Sequence, residues 1–159
     1  MNKKQALSSL MAACVLAVPA LAHSRTVTLS TQLKNYGGDG AYLAIYLTDA
    51  KGAYAGTLWV AGRKAKYYKS LADWNRLSAA DGKRLAGVTG ASVGPGRTLT
   101  VTAELADALI DAGYEIRIDA AVEDMRDSPS EVRLPLTAAG AGKAQAGKQY
   151  IQSASFQLK

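Results

Sequence analysis

The stretch Ala41-Tyr42-Leu43-Ala44-Ile45-Tyr46-Leu47-Thr48, followed by Asp49-Ala50-Lys51-Gly52 and then Tyr54 to Ala61, decides the fold class. Its period is two. Leu43, Ile45 and Leu47 take one face while Tyr42, Ala44 and Tyr46 take the other, which is a strand pattern and not a helical one. Both faces carry apolar side chains, so this strand is expected to be central and covered on both sides. Gly52 supplies the positive φ that a tight turn needs, and Tyr54 to Ala61 returns as the hairpin partner.

Working outward, the same alternation recurs. Upstream, Val27, Leu29 and Leu33 alternate with Thr26, Thr28 and Ser30. Downstream, Tyr67, Leu71, Trp74 and Leu77 fall at helical spacing, which predicts a short helix or two irregular turns over residues 67–77. Strands resume at 97–104, with Leu99, Val101 and Ala103 inward, and at 114–122, where Glu115, Arg117 and Asp119 alternate with Ile116, Ile118 and Ala120. Val132, Leu134 and Leu136 mark a further strand. Pro135 cannot donate to a ladder, so that strand is expected at a sheet edge. Residues 138–148 are rich in Ala, Gly and Lys and predict a mobile loop, and 150–158 closes the chain as a last strand. About seven strands with one helical insertion give an all-β, immunoglobulin-like antiparallel sandwich. No internal repeat is visible. The Cys-Trp-Cys pattern of antibody domains is absent, which excludes that class but not the wider architecture.

The 159 residues are 48% hydrophobic, 20% charged and 7% aromatic, a composition that excludes disordered, collagen-like and coiled-coil chains. The chain opens with a basic stretch, Asn2-Lys3-Lys4, then a mostly apolar run to Pro19, then Ala20-Leu21-Ala22, the small residues a signal peptidase reads. Residues 1–22 are therefore expected to be a signal peptide cleaved before His23, and 23–159 a single periplasmic domain. Cys14 after Met11-Ala12-Ala13 invites a lipoprotein reading, but the apolar run ahead of it is short. No later segment approaches the ~20 apolar residues of a membrane-spanning helix. Loss of Lys3 and Lys4 leaves 17 basic against 13 acidic residues, lowering the formal charge from +6 to +4. The basic residues are scattered, so nucleic acid is not an expected partner.

Candidate chemistry is sparse. The sole cysteine lies in the leader, so the mature chain has neither a disulfide nor a thiol for catalysis or metal binding. His23 is the only histidine. At a new amino terminus it could chelate copper, but with Met125 the only mature methionine, the soft ligands for a closed site are missing. A Ser-His-Asp arrangement cannot be built in the core. Glu123, Asp124, Asp127 and Glu131 lack the glycine and carboxylate order of a calcium loop and read as a solvated turn. Trp59, Tyr67, Tyr68 and Trp74 either form a surface for a planar ligand or, for the two tryptophans, clamp the helical insertion to the sandwich. Exposure of Tyr68 would favour the ligand surface.

The sharpest signal is Val88-Thr89-Gly90-Ala91-Ser92, followed by Gly94-Pro95-Gly96, which is expected to be a loop. Small residues around a hydroxyl let a loop enter another enzyme's active site, where the hydroxyl can accept a phosphoryl group. The plainer alternative is a small-residue turn.

Thr89-Gly90-Ala91-Ser92 resembles the Ser/Thr-Gly-Ala-Ser/Thr acceptor motif of proteins that carry covalent FMN. In those proteins a flavin transferase moves FMN from FAD to the last hydroxyl, here Ser92. The pattern usually has Asp three residues before the tetrad, where this chain has Ala86, and more often ends in Thr. Independently, Ala41 to Leu47, Thr57-Leu58-Trp59 and Tyr67-Tyr68-Lys69-Ser70-Leu71-Ala72-Asp73-Trp74 resemble DUF2271, a family of small predicted periplasmic proteins of unknown function. That resemblance spans nearly the whole mature chain. It implies genes near PepSY-type membrane proteins and flavin transferases, and an immunoglobulin-like module with an Asp-x-Gly-Tyr turn, here Asp111 to Tyr114.

Two functions follow, neither of them catalytic. One is an interaction module that docks through an edge strand or the aromatic insertion and serves PepSY-type redox or metal-uptake systems. The alternative is a periplasmic electron carrier with FMN on Ser92. In that alternative Thr89, Gly90 and Ala91 shape the acceptor loop, and Lys83, Arg84 or Arg97 offset the phosphate charge.

Overall fold

The computed structural model describes residues 23–159; the expected signal peptide and Cys14 lie outside the described residues. Eight strands form two sheets. They are β1 (Ser24–Leu33), β2 (Tyr42–Thr48), β3 (Tyr54–Ala61), β4 (Thr89–Gly90), β5 (Thr98–Ala106), β6 (Glu115–Ala121), β7 (Ser128–Pro135) and β8 (Ile151–Leu158). One sheet has the order β5-β1-β8 and the other β4-β3-β2-β6-β7. The chain changes sheet between β1 and β2, before β5, between β5 and β6, and between β7 and β8. This is the strand order of an immunoglobulin-type sandwich, with β8 in the place beside β1 that the first strand of that fold normally takes.

The expected hairpin is present, with β2 antiparallel to β3. At its turn Gly52 has φ +79° and donates to the Asp49 carbonyl at 2.9 Å. β2 is central, flanked by β3 and β6. Leu43, Ile45 and Leu47 enter the core between the sheets with Leu29, Leu33, Ile116, Ile118, Val132 and Phe156. Ala44 and Tyr46 enter a second core with Val60, Tyr68, Leu71 and Trp74. That second core lies beneath the insertion, a 3₁₀ turn (Ala65–Ser70) followed by the helix α1 (Ala72–Leu77). β7, which holds Pro135, is an edge strand.

Three expectations need correction. Thr89 and Gly90 are not in a free loop but pair in parallel with Val60 and Ala61, a short strand that brings the total to eight. Residues 138–148 are pinned along β8: Gly142 N–H donates to the Phe156 carbonyl, and Gln145 and Ala154 exchange hydrogen bonds of 2.8 and 2.9 Å. Glu131 does not belong to a solvated turn. It is buried because its Oε1 accepts the backbone N–H groups of Gln149, Tyr150 and Ile151 at 2.9, 2.6 and 2.6 Å, tying the start of β8 to β7.

The insertion is fixed by Asp119 on β6, which is fully buried. Its Oδ2 accepts the Trp74 N–H at 2.7 Å, and its Oδ1 accepts the Ser130 N–H at 2.8 Å and the Tyr46 hydroxyl at 3.0 Å. Burial pushes the Asp119 carboxyl above its ordinary value, although the three donors pull it back toward the ionised form. Burial would raise neighbouring Asp73 too, but the Ser130 hydroxyl and Arg76 bring it below the ordinary value. Asp119→Asn would turn an N–H₂ toward a backbone N–H, leaving a buried donor unpaired. The expected loss is about 2–4 kcal/mol, read from urea unfolding followed by tryptophan fluorescence.

Candidate functional site

The tetrad lies on a strap between two anchors. On one side Val60 N–H donates to the Val88 carbonyl and Gly62 N–H to the Gly90 carbonyl, each at 2.8 Å. On the other side Ala41 and Val93 exchange hydrogen bonds of 2.7 and 2.9 Å. Gly90 is required where it stands: a Cβ there would sit 2.5 Å from Cζ2 of Trp59. The side chain of Val93 is buried, while Thr89, Ala91 and Ser92 are exposed. Ser92 packs against Gly40, whose missing Cβ would lie 2.7 Å from Ser92 Oγ.

Ser92 opens onto a cleft of about 510 Å³. One wall comes from the insertion, with Lys64, Tyr67, Lys69 and Ser70. The opposite wall comes from the end of β6 and the turn after it, with Ala121, Val122, Glu123, Asp124, Met125 and Asp127. Asp39, Gly40 and Tyr42 complete the lining. Tyr42 and Tyr67 meet edge to face at 5.3 Å between centroids, and the Tyr67 hydroxyl donates to Glu123, joining the two walls. Lys66 Nζ stands 4.6 Å from the Tyr67 ring centre, and the Tyr67 side chain beside it raises its pKa. Asp124 adopts φ +59°, the left-handed conformation that Asp tolerates better than most residues.

Of the tetrad, only Ser92 lines the cleft; Thr89, Gly90 and Ala91 do not. The three cations expected near a phosphate are also elsewhere. Arg84 stacks over Trp74 at 4.7 Å and donates to Asn75 and Ser78, and neither Lys83 nor Arg97 lines the cleft. The cations that line the cleft are instead Lys64 and Lys69. Periodicity gave no sign of them, because both are exposed residues of an irregular segment. Tyr68 is buried, its hydroxyl donating to the Gly62 carbonyl at 2.9 Å, so it offers no ligand surface. Trp74 does clamp the insertion, with its indole N–H on Thr57 at 3.0 Å. Trp59 does not, since it packs on the inter-sheet side against Gly90. No group of three His, Cys, Asp or Glu side chains suited to a metal occurs among the described residues.

The family model for predicted periplasmic proteins (DUF2271) matches residues 24–153. The chain belongs to this family. The compartment expected from the sequence agrees with the family's description. The matched region takes in β1 to β7 and the first three residues of β8, so the cleft and the strap both lie within it. No curated protein and no solved structure matches the chain. Among the described residues no helix is long and apolar enough to cross a membrane.

The Gly90–Trp59 contact is open to direct test. Gly90→Ala forces its methyl into the indole or the strap away from β3, with an expected cost of about 1–3 kcal/mol. Thermal unfolding monitored by tryptophan emission measures it, with Gly82→Ala, at an open position, as the neutral control.

Proposed function

We propose that this protein is a non-catalytic periplasmic redox carrier whose Ser92 hydroxyl bears FMN through a phosphodiester. One observation carries the reading: Ser92, alone of its tetrad, faces a cleft that also holds the Tyr42–Tyr67 pair. The residues fit the group when it is held covalently. The cleft falls within the ~300–1,000 Å³ of small-molecule sites, Tyr42 and Tyr67 offer aromatic surface for a planar ring, and Lys64 and Lys69 supply cations for a phosphodiester. In the transfer, Ser92 Oγ forms a bond to the FMN-side phosphorus of FAD. The pyrophosphate P–O bond breaks, AMP leaves, and the hydroxyl proton passes to a base of the transferase. The chain contributes the acceptor and its placement, while the bound flavin supplies the electron-transfer chemistry. A PepSY-type membrane protein as the electron partner is the part of this proposal that rests on family resemblance alone.

A second reading, a cofactor-free docking module, is favoured by the bare edge of β5. Leu33 N–H bonds the Arg97 carbonyl and Asp107 N–H the His23 carbonyl, so odd-numbered residues face β1. The backbone groups of Thr98, Thr100, Thr102 and Glu104 therefore point away from the sheet, open to strand addition.

Intact mass after co-expression with a flavin transferase separates the two. The carrier reading expects a gain of one FMN, lost in Ser92→Ala and kept in Ser92→Thr, which retains the hydroxyl. Unmodified mass in the wild-type protein would overturn it in favour of the docking module.

A further inference from the structure

We infer that the cleft is charged so as to hold its flavin at a low reduction potential, an inference that rests on the carrier reading above. The lining sets four carboxylates, from Asp39, Glu123, Asp124 and Asp127, against the two ammonium groups of Lys64 and Lys69. The ion pairs among the described residues are Arg25–Asp107, Arg76–Asp73 and Arg117–Glu115, so none of the four cleft carboxylates is neutralised in one. Glu123 accepts a hydrogen bond from the uncharged Tyr67 hydroxyl, and the Lys66 ammonium, which does not line the cleft, feels its charge without forming an ion pair. A phosphodiester on Ser92 would add one further negative charge to the same space.

The consequence is electrostatic. A flavin ring that takes up two electrons and one proton gains a net negative charge; with two electrons and two protons it stays neutral. Carboxylates around the ring oppose the first outcome and leave the oxidised ring, which gains no charge, undisturbed. The equilibrium therefore shifts toward the oxidised form, and the carrier becomes a stronger electron donor than the same group free in water. Because the acidic side chains are exposed, water and salt screen part of the effect, so it must weaken as ionic strength rises.

The test uses the full chain co-expressed with a flavin transferase, its loading verified by intact mass, and its potential read by titration against a reference dye. Asp124→Asn combined with Asp127→Asn removes two charges at exposed positions, and Asn accepts the left-handed backbone of Asp124. The potential of this variant is expected to be more positive than that of the wild-type protein at low salt, with the gap closing at high salt. Lys69→Ala removes a cation from the same cleft and is expected to move the potential the other way. Equal potentials in three loaded proteins at low salt would overturn the inference and leave the carrier reading intact. Absence of any mass gain would overturn both.

Discussion

The carboxylate of Asp119 is the constraint on which the cleft of this protein depends. It stands on β6 and receives donors from β2, β7 and the first turn of α1, so one side chain joins two neighbouring strands of the five-stranded sheet and the helix packed on it. A six-residue helix has no stability of its own in water, and its first N–H groups have no partner within it. Asp119 satisfies one of them. Together with Trp74, which fills the second core, it fixes the insertion over Tyr46, and the preceding 3₁₀ turn then sets the positions of Lys64, Tyr67 and Lys69. The cleft wall is thus held from inside the sheet by a polar group that would be costly to bury without those donors.

The parts of the fold that came through in the sequence are those in which a side-chain period reports directly on burial. β2 could be read as a central strand because a single residue shift exchanges its two faces, and both faces are apolar. Pro135 marked an edge because a missing donor cannot be hidden in a ladder. What stayed hidden depends on contacts distant in the chain. β4 is two residues long, too short for any period, and exists because Gly90 lets the backbone lie against Trp59. Glu131 looks like surface charge until the three amides at 149–151 are brought around it. Trp59 and Trp74 are equivalent as letters, yet a bulge between Ile45 and Tyr46 in the β2–β3 pairing accompanies their separation to opposite sides of the sheet.

The site was legible to the same limited degree. The tetrad could be found as a string, and its last hydroxyl is the one that meets a cleft. Its surroundings could not, because the cleft is assembled from four separate segments: residues 39–42, 64–70, 92 and 121–127. Nor could the rigidity of the strap. Ser92 lies between Gly90 and Val93, both of which are hydrogen-bonded to neighbouring backbone. Under the carrier reading, a hydroxyl held in this way would give up little conformational entropy when a group is attached, and the group would be delivered to a fixed place.

Charge and attachment also bear on one another. A cleft with four carboxylates against two ammonium groups is a poor place for an anion to settle by affinity alone, and more so at low ionic strength. A flavin phosphate held there only by stacking on Tyr42 and Tyr67 would be opposed by the same field that favours its oxidised form. Under the carrier reading a covalent bond to Ser92 would remove that conflict. With the phosphate part of the chain, the ring would be presented to the cleft at an effective concentration that a free ligand does not reach, and weak repulsion would no longer decide occupancy. Under the carrier reading, the acidic wall and the acceptor hydroxyl are therefore complementary: the wall sets the electron affinity of the ring, and the bond keeps the ring where the wall can act.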